Sequence, residues 1–412
     1  MLAERIRAAG IATSELGEPR RKSQPIEMPG LLGAQHASPC PPASECRHHD
    51  RNPDRSAYSV RSGPNPGPDL EKVMRAAWSW LLMAITVLPT TSAYAQRCGS
   101  VLHHSVTLTA DVVCRPGQDG LIIAASGVTI DLNGFSVIGP WSSATGGPTA
   151  VGIQAAGVDG VTIRGSGRIK GFRMPIRIEG GVAHTITRVE AIAPAGDPTT
   201  LRNVSLSLVE ASTISRLQII ADPGLNASEN RVVRNRIGGS GGGGIWLYGC
   251  GAVANQVHSN TIDSRYAVAV GLFDGPNYNT VQDNKVTNGV IRLDRASANT
   301  IAYNTVLNPP RVGEAISLAD LHYPATCNSQ PSQQNRILAN AVDGGLLGLY
   351  LEGKATAGAG PNNNLIDRNT FSNHSYAGII FATGTFNNDA RNNTYANVAA
   401  IVYDYGTGNL WP

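Results

Sequence analysis

From residue 230 onward the chain repeats one alternation of polar and apolar positions. Each unit has an asparagine, an aliphatic residue two positions on, a second asparagine five on and another apolar residue seven on. The copies are Asn230-Val232-Asn235-Ile237, Asn255-Val257-Asn260-Ile262, Asn279-Val281-Asn284-Val286, Asn299-Ile301-Asn304-Val306, Asn335-Ile337-Asn340-Val342, Asn364-Ile366-Asn369-Phe371 and a degenerate Asn388-Ala390-Asn393-Tyr395. After a variable gap each is followed by a second element, a small residue and then apolar, any, apolar. It reads Gly244-Ile245-Trp246-Leu247, Ala267-Val268-Ala269-Val270, Val290-Ile291-Arg292-Leu293, Ala315-Ile316-Ser317-Leu318, Gly348-Leu349-Tyr350-Leu351, Gly378-Ile379-Ile380-Phe381 and Ala400-Ile401-Val402-Tyr403. Weaker versions lie upstream at Leu121-Ile122-Ile123, Gly152 to Ala155, Pro175 to Ile178, Leu206-Ser207-Leu208 and Gly224 to Ala227.

Alternation with a period of two is the mark of a half-buried strand. Strands this short cannot stand alone. Stacked on the equivalent strand of the next repeat, each completes its backbone hydrogen bonds at ~4.8 Å spacing and adds its Val, Ile or Leu to a continuous interior column. The pattern therefore predicts an all-β solenoid of about twelve rungs, with Ile245, Val268, Ile291 and Ile316 on consecutive layers of one column. The recurring second asparagine is expected at a corner, in left-handed φ/ψ, with its amide bonded to the asparagines above and below.

The outward positions of the second element form two columns. One runs Asn226, Trp246, Ala269, Arg292, Ser317, Tyr350, Ile380; its neighbour runs Ser228, Tyr248, Gly271, Asp294, Ala319, Glu352, Ala382, Asp404. The middle of this face thus offers Trp246, Tyr248, Asp294 and Glu352 as substrate-binding groups beside Arg292 and Tyr350. The longest insertion, 319–334, adds Asp320, His322 and Tyr323 at its lip.

Composition fits one repetitive domain. Glycine is abundant at 46 residues, charged residues make up 15%, and the net charge is only +3, which leaves no basic footprint for nucleic acid. The first 95 residues differ. Residues 1–73 are rich in Pro, Arg, Ser and Glu and are expected to be disordered. Residues 74–95 carry Met74-Arg75, an apolar run from Ala76 to Leu88 and the small-x-small Ala93-Tyr94-Ala95, a secretory signal peptide. The run is shorter than the ~20 residues needed to span a bilayer, so no membrane span is expected. A signal placed this far along suggests that Met74 is the biological start. Residues 96–412 then form the solenoid of a secreted or periplasmic protein. Its four cysteines allow three pairings; Cys98 with Cys114 is the local bridge, and Cys250 with Cys327 would tie two distant loops.

The Asn-x-Ile-x-x-Asn-x-Ile unit resembles the pectate-lyase-like right-handed parallel β-helix superfamily. So do the opening CGSVLHHSVTLTADVVC and the GVTIDLNGFSVIG of residues 127–139. The resemblance covers roughly residues 98–412 and implies the fold, not an activity, because lyases, hydrolases, epimerases and non-enzymes share it. Asp320-Leu321-His322 faintly resembles the Asp-Pro-His motif of mannuronan C5-epimerases, without its proline.

Aromatic rings, an arginine and carboxylates together suit an acidic polysaccharide. The expected chemistry is that of a uronate lyase or C5-epimerase: Arg292 neutralises the carboxylate, His322 takes the C5 proton, and Tyr350 or Tyr323 donates one. Asp294, Asp320 and Glu352 are candidate calcium ligands. Hydrolysis needs two carboxyls; Asp294 and Glu352 fall about 9.6 Å apart, near the far limit for an inverting pair, and no Asp-Asp or Gly-His-Gly signature is present. The alternative is a carbohydrate-binding or structural β-helix of the cell envelope without catalysis.

Overall fold

The computed structural model describes residues 96–140, 150–194, 197–239, 243–309, 313–320, 331–353 and 360–411. The segments expected to be disordered (1–73) and to form the signal peptide (74–95) lie outside the described residues, as do His322, Tyr323 and Cys327. Every strand of the described residues pairs in parallel with the equivalent strand one circuit away, which makes a parallel β-helix.

One circuit shows how the sequence does this. Arg336–Leu338, Ala341–Asp343 and Leu347–Leu351 are three successive strands. They lie under Leu365–Asp367, Thr370–Ser372 and Ala377–Phe381 of the next circuit. The middle residues Ile337, Val342 and Leu349 point inward, and above them come Ile366, Phe371 and Ile379, all essentially unexposed. Repetition of this triangle joins residues from Leu102 to Ala390 into one buried cluster. The first strands of the circuits form a 12-stranded sheet; the second and third merge into one of 23 strands. They merge because Thr261–Phe273 and Lys285–Asp294 each run without interruption from one face to the next.

Two polar ladders follow the corners. The backbone N–H and Nδ2 of Asn230 both donate to Asn255 Oδ1, at 3.0 and 2.9 Å, and Nδ2 also donates to the Val204 carbonyl of the preceding circuit. The relay continues through Asn279, Asn299, Asn335, Asn364 and Asn388 to Asn409. A second relay joins Asn235, Asn260, Asn284, Asn304, Asn340, Asn369 and Asn393. Upstream the same role passes to other acceptors: His184 Nδ1, Ser207 Oγ and Ser212 Oγ each accept a backbone N–H from the circuit before. Buried amides that are fully bonded cost little, whereas one broken link would strand several polar groups at once.

The expected amide ladder is present, but the left-handed residue is not the asparagine. It is the residue just before it: Arg234, Ser259, Asp283, Tyr303, Ala339, Arg368 and Asn392 have φ between 50° and 58°. The turn is made one position early. The asparagine itself stays out of the left-handed region, where its side chain reaches inward along the corner.

Three registers differ from expectation. Val270, not Val268, lies between Ile245 and Ile291. Thr261–Phe273 is 13 residues long against 10 in Lys285–Asp294, and two register shifts, between Asp263 and Ala267 and between Val268 and Val270, absorb the excess. Alternation cannot reveal such bulges, because Ala-Val-Ala-Val fits the pattern in either frame. Upstream, the third strands are Thr199–Arg202 and Leu217–Ile220, not Leu206 to Leu208 or Gly224 to Ala227; Leu206 and Leu225 are more than half exposed. Thr199 occupies an inward site opposite Leu217, and that polar residue hid the strand. At the C-terminal end Val402 and Asp404 pair with Ile379 and Phe381, one residue out of the expected frame, which leaves Ile401 exposed.

The N-terminal circuit is closed by the Cys98–Cys114 disulfide, as expected. Cys250 is also disulfide-bonded, and its expected partner lies outside the described residues. No helix of the described residues is long and apolar enough to cross a membrane.

Candidate functional site

The third strands present the expected outward face with corrected neighbours. One column reads Gln218, Trp246, Gly271, Arg292, Ser317, Tyr350, Ile380 and Tyr403. Beside it run Ile220, Tyr248, Phe273, Asp294 and Ala319. Glu352 continues this second column, because its N–H donates to Leu318 O one circuit below. Gln218 and Ile220 therefore stand where Asn226 and Ser228 were expected, and Gly271 and Phe273 where Ala269 and Gly271 were. Asp404 leaves the outward column for the end of the interior one.

Phe273 is the outward residue that alternation missed, and it completes an aromatic group. Its ring lies 5.1 Å from that of Tyr248 and 6.2 Å from that of Trp246, the latter edge-on. Trp246 is fixed further by the Arg216 guanidinium 4.3 Å over its ring and by its indole N–H, which donates to Val268 O at 3.0 Å. Phe273 folds back over Gly271, where a Cβ would come within 2.1 Å of the ring. Glycine there lets the aromatic group lie flat against the sheet.

One circuit on from Phe273, at Arg292 and Asp294, and three circuits on, at Tyr350 and Glu352, the face becomes ionisable. Arg292 Nη2 stands 3.7 Å from Asp294 Oδ2, and the Asp294 side chain is only 3% exposed. Burial pushes the Glu352 carboxyl above the ordinary carboxylate range; Arg292 opposes this, while Glu314 and Asp294 add to it. The Tyr350 phenol is pushed up to about 12, chiefly by burial and then by Glu352 and Glu314. Between the rungs of Arg292 and Tyr350 lies Ser317, fully buried, whose hydroxyl has no hydrogen-bond partner among the described residues. Glu314 is the second group that the sequence hid. Its parity is that of the inward Ile316, yet its register partner Leu347 belongs to a small apolar cluster separate from the core.

Of the expected site residues, the structure gathers Arg292, Tyr350, Asp294 and Glu352 in adjoining columns and sets Trp246 and Tyr248 two circuits away. Asp320 is buried, and its Oδ1 accepts the Ser332 N–H at 2.8 Å. Among the described residues no group of three or more His, Cys, Asp or Glu is arranged to hold a metal ion, so the three calcium candidates are not brought together as a ligand set. A shallow cleft of about 400 Å³ opens on the same face near the N-terminus, lined by Gln154, Arg177 and Glu179. Arg177 is five circuits from Arg292 along the column.

Residues 119–290 match the family model described as a right handed beta helix region, and the parallel circuits of the described residues have that fold. No curated protein matches the sequence. Among solved structures, the Dettilon tailspike protein is similar over 74% of this chain and 62% of its own, at 16% identity and a TM-score of 0.48. This chain thus spans less than two thirds of the tailspike's length. DFA-IIIase from Arthrobacter chlorophenolicus A6 is similar over 84% and 91%, at 12% identity and a TM-score of 0.43. The family 28 exopolygalacturonase of Yersinia enterocolitica is similar over 77% and 71%, at 10% identity and a TM-score of 0.45.

Proposed function

We propose that this protein is a secreted enzyme that binds a polysaccharide along the third-strand face and hydrolyses it. One observation carries the reading: the Glu352 carboxyl is held above the ordinary range, two circuits from an Asp294 ion-paired to Arg292. A carboxyl that keeps its proton donates to the glycosidic oxygen, and an ionised one activates water on the other side of the bond. Their separation along the axis, about 9.6 Å, leaves room for that water. Trp246, Tyr248 and Phe273 supply apolar faces for sugar rings. Secretion is supported by the Cys98–Cys114 disulfide, since such bonds persist in oxidising compartments.

A second reading, uronate elimination or C5-epimerisation, is favoured by Arg292 as a neutralising cation and by the strongly protonated Tyr350 as a proton donor. It ranks lower because Arg292 already answers to Asp294. The test is incubation with alginate, polygalacturonate, glycosaminoglycans and soluble β-glucan. New reducing ends without unsaturated uronate, lost in Glu352→Gln, support hydrolysis. Unsaturated uronate absorbance supports a lyase, and an altered uronate ratio by NMR an epimerase. Binding without products leaves a non-catalytic module.

A further inference from the structure

The outward column does not end at the ionisable cluster. Beyond Tyr350 it continues through Ile380 to Tyr403. There three rings form a row: Tyr376 and Tyr403 lie 5.2 Å apart, and Tyr403 and Tyr405 lie 6.2 Å apart with planes only 15° from parallel. Beneath them Leu347, Ala377 and Ile380 make an apolar bed outside the main core, against which Tyr350, Tyr376 and Tyr403 pack. Tyr405 is 44% exposed.

The symmetry about the cluster is the informative point. Trp246 is two circuits before Arg292, and Tyr403 is two circuits after Tyr350. With Arg292 and Tyr350 themselves two circuits apart, the two aromatic platforms stand about 29 Å from each other along the axis. Only an extended chain can touch both.

We propose that Tyr403 and Tyr405 form a second sugar-stacking platform, so that the ligand is a polymer held on both sides of the ionisable cluster and attacked internally. This rests on the reading of the face as a polysaccharide groove. It adds the ligand's length and the site's endo character. Tyrosine suits the task because its ring presents a large apolar face at little conformational cost.

The test is affinity electrophoresis of the full chain through gels cast with alginate, polygalacturonate or soluble β-glucan, followed by titration with size-fractionated oligosaccharides of whichever polymer retards it. Tyr403→Ala/Tyr405→Ala and Trp246→Ala should each weaken polymer binding by about tenfold. Tyr403→Phe/Tyr405→Phe, which keeps the rings, should bind as the native protein does. The exposed single variant Tyr405→Ser guards against misfolding of the double one and should show part of the loss. Oligosaccharides too short to reach both platforms should lose the dependence on one of them. Unchanged polymer binding in both tyrosine-to-alanine and Tyr405→Ser variants overturns the proposal, even if cleavage is found. So does loss of self-association in these variants with glycan binding intact, which would assign the rings to a contact between copies. Weakened binding without any product, in contrast, supports the platform and removes the hydrolase. No retardation by any polymer removes both.

Discussion

Arg292 lies within 3.7 Å of Asp294 on its own strand and also draws down the proton affinity of Glu352, two circuits away. One guanidinium therefore holds apart two carboxyls that share a column. Replacing it with methionine should raise the Glu352 proton affinity further and shift the alkaline limb of the pH–activity profile upward. A 13C-carboxyl NMR titration of Glu352 reads the same shift without activity. An unmoved titration would remove Arg292 from this role.

Stability carries the complementary sign. A folded carboxyl that binds its proton more tightly than the unfolded chain stabilises the fold at low pH. That contribution is lost as pH rises from the ordinary carboxylate range through the raised folded value. Glu352→Gln should therefore melt above the native protein at neutral pH and converge with it in acid. Melting curves collected across that window give the test, and a constant offset at all pH values would contradict the burial argument.

Alkaline titration should show late phenols. Tyr350 and Tyr395 are both held up to about 12 by burial, so their tyrosinate absorbance should appear after the exposed tyrosines have ionised. Tyr350→Phe and Tyr395→Phe should each remove one increment of that last phase and leave the earlier phase unchanged.

The asparagine relay should be expensive to interrupt at its centre and cheap at its end. Asn304 is fully buried, and its Nδ2 bonds both Asn340 and the Val281 carbonyl. Asn304→Ala would leave donors of the circuit below unsatisfied, a loss of roughly 2–4 kcal/mol. Asn393, last in its relay and only partly buried, should lose about 1 kcal/mol on the same change. Denaturant midpoints of the two variants measure the contrast; equal losses would argue against the relay as the source.

Gly271→Ala should displace the Phe273 ring, because the new Cβ would meet it at 2.1 Å. A loss of about 1–3 kcal/mol is expected, together with weaker glycan binding. The penalty should largely vanish against a Phe273→Ala background, a coupling that a double-mutant cycle detects.

What could be read from the chain was whatever repeats with a short period. Asn, Val and Ile recur in fixed register because each must meet its own kind one layer away, so the stack, the relay and the column of Trp246, Arg292 and Tyr350 were all legible. The extra residues around Val268 were not. A bulge changes which residue meets which without changing the alternation, and it hid Phe273. Glu314 escaped because parity fails at the end of a strand. Thr199 hid a whole strand by standing where an aliphatic residue was expected. The left-handed corner residues range from Arg234 to Ala339; backbone geometry fixes the turn there, and side-chain identity carries no mark of it.

Both amide relays have a direction, since every link donates toward the later residue. A duplicated circuit carrying its own pair of asparagines could be spliced between residues 230 and 393 with each donor still meeting an acceptor. Part of a circuit could not, because it would break both relays and turn the strand pattern inside out. Changes in the length of this molecule should therefore come in whole loops of the coil, and with each loop the reach of its ligand face would grow or shrink by one fixed increment.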